Sequence, residues 1–352
     1  MNPFNIILIL VILVILIYIF YRMIQDKQLE KGGEVKQTYS DETTVSKESE
    51  LTGVQNISNG SGVTSLNIVE GLPLQLRDYC IKSSSNSAYS GGYMNTNMVK
   101  YVLSRGCRFL DFEVYYKDDI PIVAYSRSLY DPSYSSFTSV DLPISLNGVF
   151  STIMGNAFND NSPNQKDPLF IQLRIKTYIN EAYSKIAKSI KSLLKNKLHR
   201  GPVTPDTPIA QLMGQIVVII DRSTSPAYSN FPICNNVDPT CDNLKNWVNM
   251  ESGTDTVRVY KEPDLLYQAI NPPDPGVYLM RIVMPSPGVF SSKNCDSMSL
   301  IKNYGAQIVA QSFYLNDARL AVYEDLFRNY KSAFVPIEYA VEYIKEFGNK
   351  GV

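Results

Sequence analysis

Apolar residues recur along the chain with two different periods. The clearest period of two lies in Gly106 to Ser128, GCRFLDFEVYYKDDIPIVAYSRS, which reads as strand, polar turn, strand. Side chains alternate across a strand, so Leu110, Phe112 and Val114 point one way and Asp111, Glu113 and Tyr115 the other. Two carboxylates therefore share one face. Facing a pocket, they would hold a cation or an arginine; facing solvent, they are only a polar face. Asp167 to Ile175, DPLFIQLRI, alternates in the same way. Gln215 to Asp221, QIVVIID, is a continuous apolar run ending in an acid, as in a buried parallel strand. Between them Ile179, Ala182, Ile186, Ile190 and Leu194 recur at helical spacing and predict a helix from Ile179 to Leu198.

The flanking pattern continues this alternation. Leu72 to Lys82, LPLQLRDYCIK, predicts a first strand, followed by a polar loop from Ser83 to Tyr89. Thr96 or Asn97 can cap a helix that buries Met98, Val102 and Leu103 and ends at Gly106. Val277 to Met284, Ala306 to Gln311 and Ala333 to Pro336 read as strands, with a helix around Ala318 to Tyr330. Arg222 to Pro275, rich in Pro, Asn and Asp around the lone Trp247, reads as an irregular insertion with one or two short helices. Strand, helix, strand in this order implies an α/β fold, a parallel sheet covered by helices.

The strongest local pattern is at the start. Ile6 to Tyr21 carries no charge, and with Phe4, Met23 and Ile24 it approaches the roughly 20 apolar residues that span hydrocarbon. No basic stretch precedes it and no small-x-small site follows it, so residues 1–24 read as a retained transmembrane helix rather than a cleaved signal. Residues 25–71 are rich in Ser, Thr, Gly, Glu and Lys and read as a flexible linker. Arg22, Lys27, Lys31 and Lys36 follow the span and no Lys or Arg precedes it, which favours a cytoplasmic domain. Asn56-Ile-Ser and Asn59-Gly-Ser are glycosylation sequons in form, and a cytoplasmic linker would leave them unmodified.

Composition narrows the chemistry. The 352 residues suffice for one large α/β domain plus appendages, and a net charge of −1 gives no field that would draw in nucleic acid. The five cysteines, 80, 107, 234, 241 and 295, are odd in number and lack CxxC spacing, which suits a reducing compartment. Cys234 and Cys241 would pair across a loop if the domain faced outward. The single histidine, His199, falls at the end of the predicted helix, where a solvated C-terminal cap is expected. One such histidine builds no Ser-His-Asp triad, Cys-His pair or zinc cluster.

Gly106-Cys107-Arg108, the acids at 111 and 113, a turn and Pro121-Ile122-Val123 together resemble the X region of phosphoinositide-specific phospholipase C. Arg281-Ile-Val-Met-Pro285, Ser291-Ser292 and Gly305-Ala-Gln-Ile-Val-Ala310 are similar to the Y region of the same enzymes. The resemblance implies a TIM-type (β/α) barrel over residues 72–346, with an X-like half at 72–222, the insertion at 223–276 and a Y-like half at 277–346. It places Asn86, Asp111 and Glu113 at calcium-ligand positions, with the types of the two acids exchanged. The two histidines of the family fall at Ser85 and Tyr125, so neither is retained. A third calcium ligand, glutamate in the family, is Arg174 here. An arginine beside Asp111 or Glu113 supplies the attraction a cation would supply, so the resemblance implies no cofactor and makes calcium unnecessary. Bacterial relatives also use an arginine in place of calcium, though they keep both histidines. Arg281 matches an arginine that contacts an inositol phosphate, and a structural salt bridge is the equal alternative. With Arg174 and Asn86 it makes up the substrate-binding set.

Three functions follow as expectations. One is a catalytically inactive, membrane-anchored domain that binds a phospholipid head group, such as a phosphoinositide, or a protein. Another is a phosphoric diester hydrolase with an altered, calcium-independent mechanism. The third is a structural protein of a membrane, such as the envelope of a large DNA virus.

Overall fold

The computed structural model describes residues 61–68, 74–91, 93–125, 144–230, 234, 241–267, 279–285 and 293–347. The expected span at 1–24 and the linker up to residue 60 lie outside the described residues. Among the described residues no helix is long and apolar enough to cross a membrane.

Residues 61–68, expected in the flexible linker, are fastened to the domain. Thr64 N donates to Lys331 O at 2.9 Å, and Leu66 N donates to Asp167 Oδ1 at 2.6 Å. Val63 is buried against Gly106, whose φ of +80° favours glycine and whose missing Cβ would sit 3.2 Å from the valine side chain.

The first strand is shorter than its apolar run. Gln75 N donates to Asp78 Oδ2 at 2.7 Å and closes a 3₁₀ turn over Leu76–Asp78, so β1 is only Tyr79–Ile81. After a break at Lys82 comes β2, Ser83–Ser84, within the segment expected as loop. Helix α1, Thr96–Ser104, is capped by Asn95 rather than by Thr96 or Asn97: the Asn95 side chain accepts from Asn97 N at 2.8 Å. The expected hairpin is β3, Phe109–Lys117, and β4, Ile120–Val123, and two short elements follow, β5, Ile144–Ser145, and α2, Leu146–Asn156.

Strand β6 is Leu169–Ile175. Helix α3, Asn180–Ser189, continues as a π turn over Ile190–Leu194, and β7 is Ile216–Asp221. The segment expected as an irregular insertion supplies two more sheet strands, β8, Met250–Ser252, and β9, Val257–Lys261, and a short helix α4, Glu262–Tyr267. Then come β10, Met280–Met284; α5, Ser297–Tyr304; β11, Ile308–Val309; α6, Ala318–Tyr330; β12, Phe334–Pro336; and α7, Ile337–Phe347.

One sheet runs β12-β1-β11-β10-β9 and the other β5-β4-β3-β6-β7-β8, with β2 beside β3. Apart from β12, β4 and β5 the pairings are parallel, as strands joined by helices require. The sheets meet where the chain passes through Lys82, and a parallel bridge joins Ser84 to Gln311. No ladder pair joins β8 to β9 among the described residues. Buried Lys82 holds this crossing: its Nζ donates to Arg105 O at 2.6 Å and pairs with Glu324 Oε1 at 3.2 Å, while Arg105 Nη2 lies 2.6 Å from Glu324 Oε2. A buried ion triad is held in place because removing one member strands the others without solvent.

Cys234 and Cys241 are joined by a disulfide, and Cys80, Cys107 and Cys295 are buried free thiols. Burial pushes all three thiols well above their ordinary range, which leaves them protonated and inert.

Candidate functional site

The parallel strands β3 and β6 pair in a register that sets Asp111 opposite Gln172 and Glu113 opposite Arg174. Their alternating side chains emerge on one face at the C-terminal ends of the strands. The two acids are almost wholly buried, at 0% and 1% exposure, so the polar face does not look onto solvent.

Arg174 occupies the centre. Its Nε lies 2.8 Å from Asp111 Oδ1, and its Nη2 lies 2.6 Å from Asp111 Oδ2 and 2.9 Å from Asn86 Oδ1. Its Nη1 lies 2.8 Å from Glu113 Oε1. These bonds use four of the five N–H groups a guanidinium carries. The bidentate grip on Asp111 is the strong form of this contact. Asn86 reaches the cluster because it sits at φ +43°, a left-handed conformation that asparagine tolerates; its backbone N–H donates to Asp111 Oδ2 at 3.0 Å.

A second cation, Lys176, completes the charge balance. Its Nζ lies 2.8 Å from Glu113 Oε2, which also accepts from the Tyr115 hydroxyl at 2.8 Å. Gln172 bridges Asp111 Oδ1, at 3.2 Å, to the Ser252 hydroxyl, at 3.0 Å. Burial alone would raise the Glu113 carboxyl, but Arg174, Lys176 and the Tyr115 hydroxyl together hold it below the usual range. Arg174 is raised despite its burial, through Asp111 and Glu113. Nearby Asp221 is pushed upward by burial, against the hydrogen bonds from Ser223.

The sequence-derived residues separate into two groups. Asn86, Asp111, Glu113 and Arg174 are brought together. Arg281 is not. On β10 it lies on the face opposite Met284, and Met284 Sδ is the atom that meets Gln172, at 4.0 Å from Nε2. Arg281 is buried beside Tyr260 and Arg258 instead, and burial lowers its affinity for its proton. Ser85 is buried beside Asn86, with its backbone N–H on Gln311 O at 2.9 Å. Tyr125 packs its ring 4.5 Å from that of Tyr89, which in turn meets Tyr314 at 4.9 Å. His199 is not a helix cap. Its backbone N–H pairs with Ile216 O at the N-terminal end of β7, and its Nδ1 lies 2.9 Å from Gln215 Oε1, at the opposite end of that strand from Asp221. The alternation through Gln172 and Arg174 would have found Lys176 one step further along the same face.

The oxygens at the calcium-ligand positions do not fit that ion. Calcium takes six to eight oxygen ligands. Here both Asp111 oxygens, the Asn86 amide oxygen and both Glu113 oxygens already face cationic nitrogens of the chain. Among the described residues no group of His, Cys, Asp and Glu is arranged to hold a metal. The cluster is a charge-matched knot, and it contains no imidazole to carry a proton.

The phosphatidylinositol-specific phospholipase C, X domain, family model matches residues 73–220. The crystal structure of L. pealei PLC21 superposes with a TM-score of 0.57 at 17% identity, covering 76% of this chain and 37% of that one. That of S. officinalis PLC21 gives 0.57 at 18%, covering 77% and 38%. At these identities the likeness is one of fold, and the chain spans well under half the length of either structure. No curated protein matches the sequence.

Proposed function

Since the chain carries a domain similar to phosphatidylinositol-specific phospholipase C, we propose that it works at a phospholipid surface, held there by residues 1–24, without hydrolysing the phosphodiester. The observation that carries this reading is the commitment of Arg174. Phosphodiester cleavage of the family's kind needs one group to take a proton, another to return it, and positive charge for the transition state. Ser85 and Tyr125 stand where the proton-transfer groups are expected, and at neutral pH neither replaces imidazole. The guanidinium that would supply the charge is bound by two carboxylates, so a phosphate would have to displace them. General acid and base are worth roughly 10² to 10⁴ each, so their joint loss removes about 10⁴ or more of rate. The reading requires no calcium and takes the two sheets as the walls of one barrel.

The Cys234–Cys241 bond supports an oxidising environment for the domain, whether outside a membrane or on a virion, over the cytoplasmic side that the flanking lysines favour. The test of function is release of water-soluble inositol phosphate from phosphatidylinositol in mixed micelles by the full-length chain. The expected result is none above background. Turnover at ordinary enzyme rates, about 1 to 10³ per second, would replace this reading with an altered, calcium-independent phosphodiesterase.

A further inference from the structure

The Arg174 cluster is internally neutralised, and Arg281 is turned to the other face of its strand. Between Lys176 and Arg200 the sequence holds seven Lys or Arg residues and one acid, Glu181, in a chain whose net charge is −1. Helix α3 and its π turn direct Ala182, Ile186, Ile190 and Leu194 inward. The same periodicity places Lys185, Lys188, Lys191 and Lys195 along the outward stripe, about 15 Å long at 1.5 Å per residue. Lys191 is answered by Asp242 at 3.0 Å. Lys185, Lys188, Lys195 and Arg200 have no acidic partner among the described residues.

At the leading end of this helix stand the two most exposed large apolar residues that adjoin one another: Tyr178 at 87% and Ile179 at 45%. Neither is used in packing the helix, although Ile179 belongs to its apolar repeat. A tyrosine and an aliphatic side chain held out at the end of a lysine stripe are the components of an interfacial membrane contact. The apolar pair enters the head-group layer and the cations meet anionic lipid. A nucleic acid would use the cations but has no use for Ile179, and the chain as a whole lacks the broad positive field that nucleic-acid binding draws on.

We propose that the outer face of α3, led by Tyr178 and Ile179, is a docking surface for an anionic phospholipid bilayer. The proposal rests on the phospholipid-surface element of the proposed function and is independent of turnover. The inositol phosphate assay reads hydrolysis and the test here reads partition, so either can fail alone.

The test uses the full-length chain in phosphatidylcholine nanodiscs, with an environment-sensitive fluorophore on Tyr178→Cys. It is titrated with vesicles of phosphatidylcholine alone and of phosphatidylcholine with phosphatidylserine. The expected result is a blue shift with the phosphatidylserine vesicles only, weakened by salt as screening requires. The variant Lys185→Gln/Lys188→Gln/Lys195→Gln should partition about a hundredfold more weakly, at roughly fivefold per lysine. Lys185 and Lys195 are exposed and Lys188 is half-buried, and an unchanged thermal melt checks that the variant folds. Equal response to both vesicles, or an unchanged titration in the triple variant, would overturn the proposal. So would a lysine-dependent gel shift with duplex DNA in the absence of a fluorophore response to anionic vesicles, which would reassign the stripe to nucleic acid.

Discussion

Arg174 decides what Asp111 and Glu113 are. Both carboxylates are buried, and a buried carboxylate without a partner costs several kcal/mol. Replacing the arginine with an uncharged side chain of similar size, Arg174→Met, should therefore lower stability by about 3–5 kcal/mol, read as a fall in the urea midpoint. Arg174→Glu makes a sharper test. It returns an acid to the position and releases Asn86 Oδ1, both Asp111 oxygens and Glu113 Oε1 from the guanidinium, leaving Lys176 on Glu113 Oε2, so millimolar calcium should raise the melting temperature of this variant and leave the parent chain unmoved. A calcium-induced rise in the parent would show that the guanidinium yields to the ion. The charge reversal at 174 was legible because a motif supplied its neighbours and strand alternation supplied their common face. Arg281, which the sequence left open between a head-group contact and a structural role, lies away from the cluster for the complementary reason. Motif order gives sequence neighbours, but the face a residue takes is set by strand parity, and in β10 that parity is fixed by Met284 meeting Gln172.

Among the elements, those with a strong period were readable and those held by burial alone were not. The helix through Ile186 and Ile190 follows its spacing, with only its last turn relaxed into π geometry. Helix α2, LNGVFSTIMGN, carries two glycines and β-branched residues of low helix propensity, and what holds it is the buried row Leu146, Val149, Phe150 and Ile153. Strand β9, VRVYK, does alternate, but five residues among turn-forming neighbours gave too short a window. Residues 61–68 looked like linker because their contacts are with groups far along the chain, the Lys331 carbonyl, the Asp167 carboxylate and Gly106. Their anchor, Asp167, is fully buried, and desolvation raises its pKa from 3.8 to about 6. A carboxyl that holds its proton more tightly when folded adds stability that is full below 3.8 and lost as the pH climbs through about 6. The amount is about 3 kcal/mol for a shift of some two units. Asp167→Asn keeps the acceptor for Leu66 N, so its stability should be flat across that interval while the parent's declines, as denaturant titrations at several pH values would show.

For the molecule as a whole, the five cysteines divide into one bonded pair and three sealed thiols. Chain trapped with a maleimide during cell lysis and then unfolded should take up three labels without reductant and five after reduction. Five at the outset would place the domain in a reducing compartment. The sequence named Cys234 and Cys241 as the pair that a loop would close if the domain faced outward, while the odd count and missing CxxC pointed to a reducing compartment. One consequence of residues 61–68 concerns force. They lie across the N-terminal ends of β3 and β6, the far side of the sheets from Arg174. A pull transmitted through the preceding chain would thus load Thr64 on Lys331 and Leu66 on Asp167 before any strand pair. Those bonds would break in succession, as a seam unpicks, so the segment would act as a mechanical fuse: tension is spent there while the knot at the opposite rim stays tied.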